Sequence, residues 1–244
     1  MSEVRIVPVE GMPEVGEGDA LGELVAERAR VGPGDVLVVS QKVVSKAEGR
    51  VRRLASVIPG AEARKLAAVL GKEPALVQLI LDESAEVLRA ERGILIVETH
   101  RGFVCANAGI DASNLPDQDT VCLLPEDPDA SARRIRSELV HAVGVVISDS
   151  FGRAWRLGQS EVAIGCAGLQ PLDDWRGRAD AYGKELQATQ IAVADEAAAA
   201  ADLVRGKDSQ IPAVILRGLS RYVIPEDGPG ARALRRSKAE DLFR

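Results

Sequence analysis

Short apolar runs punctuate this chain at uneven intervals, and segments of helical periodicity fill the spaces between them. Residues 36–40, 94–98, 143–148, 162–167 and 212–216 are continuous, largely β-branched or small apolar stretches bounded by Gly, Pro or Asp. That pattern predicts buried strands. Residues 103–106 read as a second strand of the hairpin begun by 94–98. Helices are predicted over 19–30, with Asp19 as cap and Gly32-Pro33-Gly34 as stop, and over 61–70 and 75–81, separated by Gly71-Lys72-Glu73-Pro74. Two more are predicted over 130–142, capped by Asp129, and over the Ala-rich 184–205, ended by Gly206. Strands and helices do not alternate strictly, so the fold class expected is α+β with mixed sheets rather than a regular doubly wound sheet.

One apolar run stops abruptly. Val145-Val146-Ile147 leads into Ser148-Asp149-Ser150-Phe151-Gly152-Arg153-Ala154-Trp155-Arg156. Asp149 and Ser150 are oxygen donors of the kind Mg²⁺ or Mn²⁺ prefers. Arg153 and Arg156 are planar donors suited to phosphate or carboxylate oxygens. Taken alone, the segment is equally well an ordinary Asp-Ser turn followed by solvated arginines.

Composition narrows the classes. The chain has 244 residues, 46% hydrophobic and 28% charged, as in a folded globular protein, and a net charge of −6 that argues against wholesale nucleic-acid binding. No apolar run is long enough for a membrane span, and the first residues lack a signal-peptide layout, so the cytoplasm is the expected location. Cys105, Cys122 and Cys166 are odd in number and widely spaced, which fits reduced thiols. Cys105 is read as a small core residue in preference to a nucleophile. With only His100 and His141 present, a metal would be held mainly by oxygen.

Familiar phosphate-binding loops are absent. Each Gly-Lys pair, at Gly71, Gly183 and Gly206, is followed by Glu or Asp, so none completes a Walker A loop. No dinucleotide fingerprint, nucleophile elbow or zinc-protease helix is found. What remains is a scattered constellation: Lys42 and Lys46 after one strand, Asp111 and Asn114 in a small-residue loop, and Asp149, Ser150, Arg153 and Arg156 after another strand. Two carboxylates among cations and hydroxyls suit a divalent cation on a triphosphate. Spacing leaves open whether these segments converge, and solvated surface lysines are the plain alternative for Lys42 and Lys46.

Three motifs, taken in order, carry a resemblance. They are Ser40-Gln41-Lys42-Val43-Val44-Ser45-Lys46-Ala47-Glu48-Gly49, Asn107-Ala108-Gly109-Ile110-Asp111-Ala112-Ser113-Asn114, and Ser148 to Arg156 with Gly158-Gln159. Together they resemble the coenzyme F420-0:L-glutamate ligase family, from Gly11-Met12-Pro13-Glu14 to about Gly218. The resemblance implies an α+β fold of the family's own, with two interleaved subdomains and an intertwined homodimer. It implies an enzyme that uses GTP to join L-glutamate to the lactyl carboxylate of F420-0 and then adds further γ-linked glutamate.

The resemblance also implies a ligand set. Mg²⁺ or Mn²⁺ is required, two ions per site, with K⁺ as a further cation. Asp111 and Asp149 would hold one divalent ion and Ser150 the second. Met12, Pro13, Glu14, Val15, Ser40, Gln41, Lys46 and Asn114 would contact GTP, as would the loop 205–212 with Gly206, Lys207, Asp208, Ser209 and Gln210. Relatives supply an acidic or amide metal ligand near the start of that loop. A protonated Lys207 cannot ligate, which leaves Asp208 or Gln210 for that role.

Lys46, Arg153 and Arg156 are the candidate catalytic side chains, with the two arginines assigned to the anionic substrates. Residues 1–244 are expected to form a single ligase unit without the flavin-binding, nitroreductase-like domain fused to some relatives. Both a stand-alone enzyme and the ligase part of a longer protein agree with that. A metal-dependent nucleotide hydrolase and a non-catalytic GTP-binding module are the alternative functions.

Overall fold

The computed structural model describes residues 3–113, 115, 117–206 and 208–242. In chain order it forms β1 (Arg5–Pro8), α1 (Leu21–Ala26), β2 (Val36–Ser40), α2 (Gln41–Ala47) and β3 (Val51–Arg53). Then come α3 (Ala61–Leu70), α4 (Pro74–Asp82), β4 (Ser84–Glu91), β5 (Ile94–Thr99), β6 (Val104–Ala106) and β7 (Thr120–Cys122). The remainder is α5 (Pro128–Ser137), β8 (Gly144–Arg153), β9 (Arg156–Ala167), β10 (Asp173–Asp174), β11 (Gln190–Ile191), α6 (Val193–Asp202) and β12 (Ala213–Arg217). The mixed α+β class expected from the hydrophobic pattern is what the chain adopts.

A five-stranded sheet in the order β1-β12-β2-β8-β9 is the backbone of the molecule. Only β2 and β8 run parallel, and the other neighbours are antiparallel. Both faces are covered, which is why these strands read as continuous apolar runs rather than alternating ones. Leu37, Val39, Val145 and Ile147 face α1, α2 and α5, whereas Val36, Val38, Val146, Val214 and Leu216 face α6. Ala194, Ala197, Ala198 and Ala201 form the buried stripe of α6, and their small side chains let the helix lie close on the sheet. Residues 51–123 leave this sheet and pack around cores of their own, chiefly α3 and α4 against the β4-β5-β6 sheet, before β7 returns to pair with β3.

Several predicted bounds shift for local reasons. The strand predicted over 143–148 runs on to Arg153, because its partner β9 is twelve residues long and pairs with it beyond Asp149. Asp149-Ser150 is therefore interior to a strand rather than a turn after one. Lys42 and Lys46 lie on the unpredicted helix α2, which starts at the residue after β2. The first helix ends at Ala26, and Asp19 accepts the Gly16 N–H instead of capping it. Asp127, not Asp129, caps α5, and Asp129 instead accepts from the backbone N–H groups of Cys166 and Ala231. The long Ala-rich helix shrinks to α6, since β10 and β11 pair across part of its predicted span. The hairpin of β5 and β6 is as predicted.

Helix α5 sits directly on β9 at Gly165. A methyl group there would lie 2.3 Å from the Pro128 carbonyl oxygen. Gly165→Ala should lower unfolding stability by about 1–3 kcal/mol in urea titration, the usual cost of overpacking. Gly152→Ala, where an added methyl meets nothing within 4 Å, serves as a near-neutral control.

Candidate active site

Strand lengths create the site. The last pair between β2 and β8 is Ser40 with Ser148, after which β2 becomes α2 while β8 continues. A notch opens beside β8 at Asp149 and Ser150, at the carboxyl end of the parallel pair, where open sheets characteristically bind ligands. The same end collects the loop after β1 and the loop before β12, the latter tied in by Ser40 N–H donating to Pro212 O at 2.8 Å. The resulting cleft encloses about 630 Å³. Its walls include Met12, Pro13, Glu14 and Val15, then Ser40, Gln41, Lys42 and Lys46, then Asp149, Ser150 and Glu161, and finally Arg205, Gly206, Asp208 and Gln210.

Asp111 arrives from the excursion of residues 51–123. Its backbone exchanges hydrogen bonds with Cys122 at 3.0 and 2.8 Å, and β7 is held by β3, the strand that follows α2. Asn107, Ala108 and Gly109 just before it all have positive φ, a tight left-handed turn that non-glycine residues adopt only at a cost. Asp111 thereby meets α2: the Lys42 ammonium lies 2.8 Å from its Oδ2 and also donates to Ser113 O and Oγ. Burial raises the Asp111 pKa, but the Lys42 ammonium and the Ser113 N–H and O–H donors outweigh it and hold the carboxyl below its ordinary value.

Asp149 has the opposite balance. It keeps part of its surface open to the cleft, yet protein surrounds it. Burial first, and then the charges of Glu161 and Asp111, push it from 3.8 up to about 7. Across the strand, Ser150 Oγ donates to Glu161 Oε1 at 2.5 Å, and Arg205 Nη2 donates at 2.9 Å both to Glu161 Oε2 and to Ser148 Oγ. Arg205 and Glu161 are almost wholly buried, with 7% and 6% of their side-chain surface exposed. The second terminal nitrogen of Arg205 is buried with no hydrogen-bond partner among the described residues. An unmet buried donor costs about 1–3 kcal/mol, a cost a bound oxygen would remove.

Lys46 lies 2.5 Å from Glu14 Oε1 and so ties the loop after β1 to α2. Because Glu14 is exposed, this pair is worth about 1 kcal/mol or less, and the ammonium can turn to another anion cheaply. Gln41 borders the cleft but is 2% exposed, and its amide donates to Ser45 Oγ and Leu123 O. Its visible task is to brace α2 against the strand end at β7. Arg153 and Arg156 are not cleft residues. They sit at the exposed far end of the β8–β9 hairpin, where Arg153 donates to Leu157 O. Ser209 lies in the loop 205–212 with its hydroxyl donating to Gly206 O. Asn114 and Lys207 lie outside the described residues.

The donor set fits a hard divalent cation. Asp111, Asp149 and Ser150 offer carboxylate and hydroxyl oxygens, and the crowding that raises Asp149 is what a cation would relieve. Among the described residues no three His, Cys, Asp or Glu side chains form a metal-binding group by themselves. Mg²⁺ is commonly held in that sparse way, by one or two carboxylates with phosphate oxygens completing the shell. Cys105 is buried and its thiol is pushed up to about 12 by burial and then by Asp149, so it is a core residue rather than a nucleophile. No helix of the described residues is long and apolar enough to cross a membrane.

Comparisons with known proteins converge. A family model described as F420-0:Gamma-glutamyl ligase matches residues 11–218. A protein of Methanothermobacter thermautotrophicus named coenzyme F420:L-glutamate ligase is 44% identical over 99% of each chain. Proteins of the same name from Archaeoglobus fulgidus and Methanopyrus kandleri are each 45% identical, over 99% of this chain and 96% and 98% of theirs.

The raised Asp149 carboxyl makes a stability prediction. Between its unfolded value near 3.8 and its folded value near 7 the native state holds the extra proton, so metal-free stability falls as pH rises through that window. Asp149→Asn removes the penalty. Metal-free Asp149→Asn should be more stable than wild type at pH 8, by at most about 4 kcal/mol because solvent in the cleft screens part of the effect. The difference should close by about pH 4. Thermal denaturation across pH measures both; a constant difference would contradict the assignment.

Proposed function

The chain belongs to the F420-0:gamma-glutamyl ligase family, and from that we propose that it is a GTP-dependent ligase joining L-glutamate to F420-0 in the biosynthesis of coenzyme F420. The observation that carries this reading is the meeting, in one cleft, of the Asp111 and Asp149 carboxylates with Lys42, Lys46 and the loops at 12–15 and 205–212. Such a cleft matches a triphosphate that needs both metal and ammonium charge.

Forming an amide from a carboxylate requires a better leaving group than hydroxide. In the proposed route an oxygen of the F420-0 carboxylate bonds to the γ-phosphorus of GTP, and the bond to the β–γ bridging oxygen breaks, releasing GDP. The amine of glutamate, having lost a proton, then attacks the acyl carbon, and orthophosphate departs with the former carboxylate oxygen. Asp111, Asp149 and Ser150 would hold Mg²⁺ or Mn²⁺, with Asp208 or Gln210 available at the loop side. Bound there, the metal supplies positive charge to the β- and γ-phosphate oxygens. Lys46, released from Glu14, would add a point charge beside the triphosphate, against the wall formed by residues 12–15. Positioning of this kind can be worth about 7–11 kcal/mol in well-oriented reactions. Arg153 and Arg156, at the hairpin end, take no part in the cleft of their own chain.

We take the working unit to be a homodimer. Trp155 and Leu157, 81% and 98% exposed at the same hairpin end, are apolar surface that a second copy would cover.

Mass spectrometry of a mixture of the protein, GTP, Mn²⁺, L-glutamate and F420-0 should show F420-0 heavier by one or two glutamyl units. Asp149→Asn should slow that conversion at least about 100-fold, as loss of charge stabilisation at a reacting phosphate does. Orthophosphate release equally fast without acceptor would favour a nucleotide hydrolase. GTP binding with no turnover in any mixture would favour a binding module.

A further inference from the structure

We propose that Glu161 is a positioning residue that locks the Ser150 hydroxyl with its lone pairs toward the cleft, and that Arg205 holds Glu161 in place for that task. The inference rests on the metal site proposed above and adds to it a residue that ligates nothing itself.

The strand pairing builds the lock. Between the pairs Ile147 with Gly165 and Ser148 with Ala163, β9 carries one extra residue, Ile164. The freed N–H of Ala163 is taken up by Asp195 Oδ1 at 2.8 Å. Such bulges re-aim side chains beside functional sites. Here the bulge shifts the register so that Glu161, rather than Val162, stands opposite Ser150.

The hydrogen bonds then have one direction. A guanidinium can only donate, and Arg205 donates to Glu161 Oε2, while the carboxylate accepts from Ser150 Oγ through Oε1. The Ser150 proton is thereby drawn toward Glu161, so the hydroxyl would turn its oxygen, not its proton, toward a cation in the cleft. A neutral hydroxyl free to rotate would present its proton part of the time. Both Glu161 oxygens are engaged, and among the described residues Glu161 does not join Asp111 and Asp149 in a three-carboxylate metal group. Those facts favour orientation over ligation. Outer residues that orient a ligand typically contribute 10- to 100-fold in metal affinity.

Mn²⁺ titration of the full chain with GDP present, read by the electron paramagnetic resonance signal of free Mn²⁺, tests the lock on wild type, S150A, E161Q and the double variant. E161Q should weaken one class of Mn²⁺ site about 10- to 100-fold. In the S150A background E161Q should change nothing further, because there is no hydroxyl left to orient. E161D keeps the charge facing Arg205 but withdraws the carboxylate by one methylene, so it should show the same loss and serves if E161Q does not fold. Unchanged Mn²⁺ affinity in E161Q or E161D, or losses that add fully in the double variant, would overturn the lock while leaving the metal site standing. A wild-type chain that binds no Mn²⁺ would overturn the metal site and the lock with it.

Discussion

The parallel pair β2 and β8 ends before β8 does, and the architecture of the cleft follows from that inequality. Had β2 continued, its backbone would have covered the edge of β8 at Asp149 and Ser150. Because the chain instead turns into α2 at Gln41, the notch is walled by a helix whose first two turns carry Lys42 and Lys46 on one side, four residues apart. Strand β12 enters the sheet at the same end, so the loop before it, with Arg205, Gly206, Asp208 and Gln210, closes the opposite wall. Binding chemistry is thus supplied by strand ends and loops on a rigid sheet, where small changes in sequence alter ligands without disturbing the core.

Gathering carboxylates in that notch carries an electrostatic cost. Asp111 is compensated by Lys42, but burial first, and then the charges of Glu161 and Asp111, push Asp149 up to about 7. Arg205 offsets part of the charge while leaving one of its own donors unmet among the described residues. A protein interior selected for stability alone would place apolar residues here. A divalent cation and phosphate oxygens would bring charges that match, so the cost of gathering these carboxylates and the proposed affinity for such ligands would have the same source.

Much of this was legible in the sequence, and what was missed has identifiable causes. The continuous apolar runs at 36–40 and 143–148 disclose buried strands directly, though not that they pair in parallel, and Asp111, Asp149 and Lys46 stand out by chemistry. Helix α2 escapes notice because Val43 and Val44 lie so close after the apolar strand that no break in periodicity separates them. Glu161 is invisible for a different reason. Its pairing with Ser150 depends on two register shifts, one at the hairpin end and one at Ile164, and a one-residue slip would place Val162 there instead. Arg153 and Arg156 illustrate the converse: adjacency in sequence to Asp149 placed them in the site, but an extended strand advances about 3.3 Å per residue and carries them away from it.

The account depends most directly on a cation lying between segments more than thirty positions apart in sequence, and anomalous scattering from Mn²⁺ in crystals grown with a non-hydrolysable GTP analogue would locate it. The expected result is an anomalous peak bonded to carboxylate oxygens of both Asp111 and Asp149, with the Lys42 ammonium displaced toward phosphate. A peak away from these two residues, with Lys42 still seated on Asp111, would contradict it.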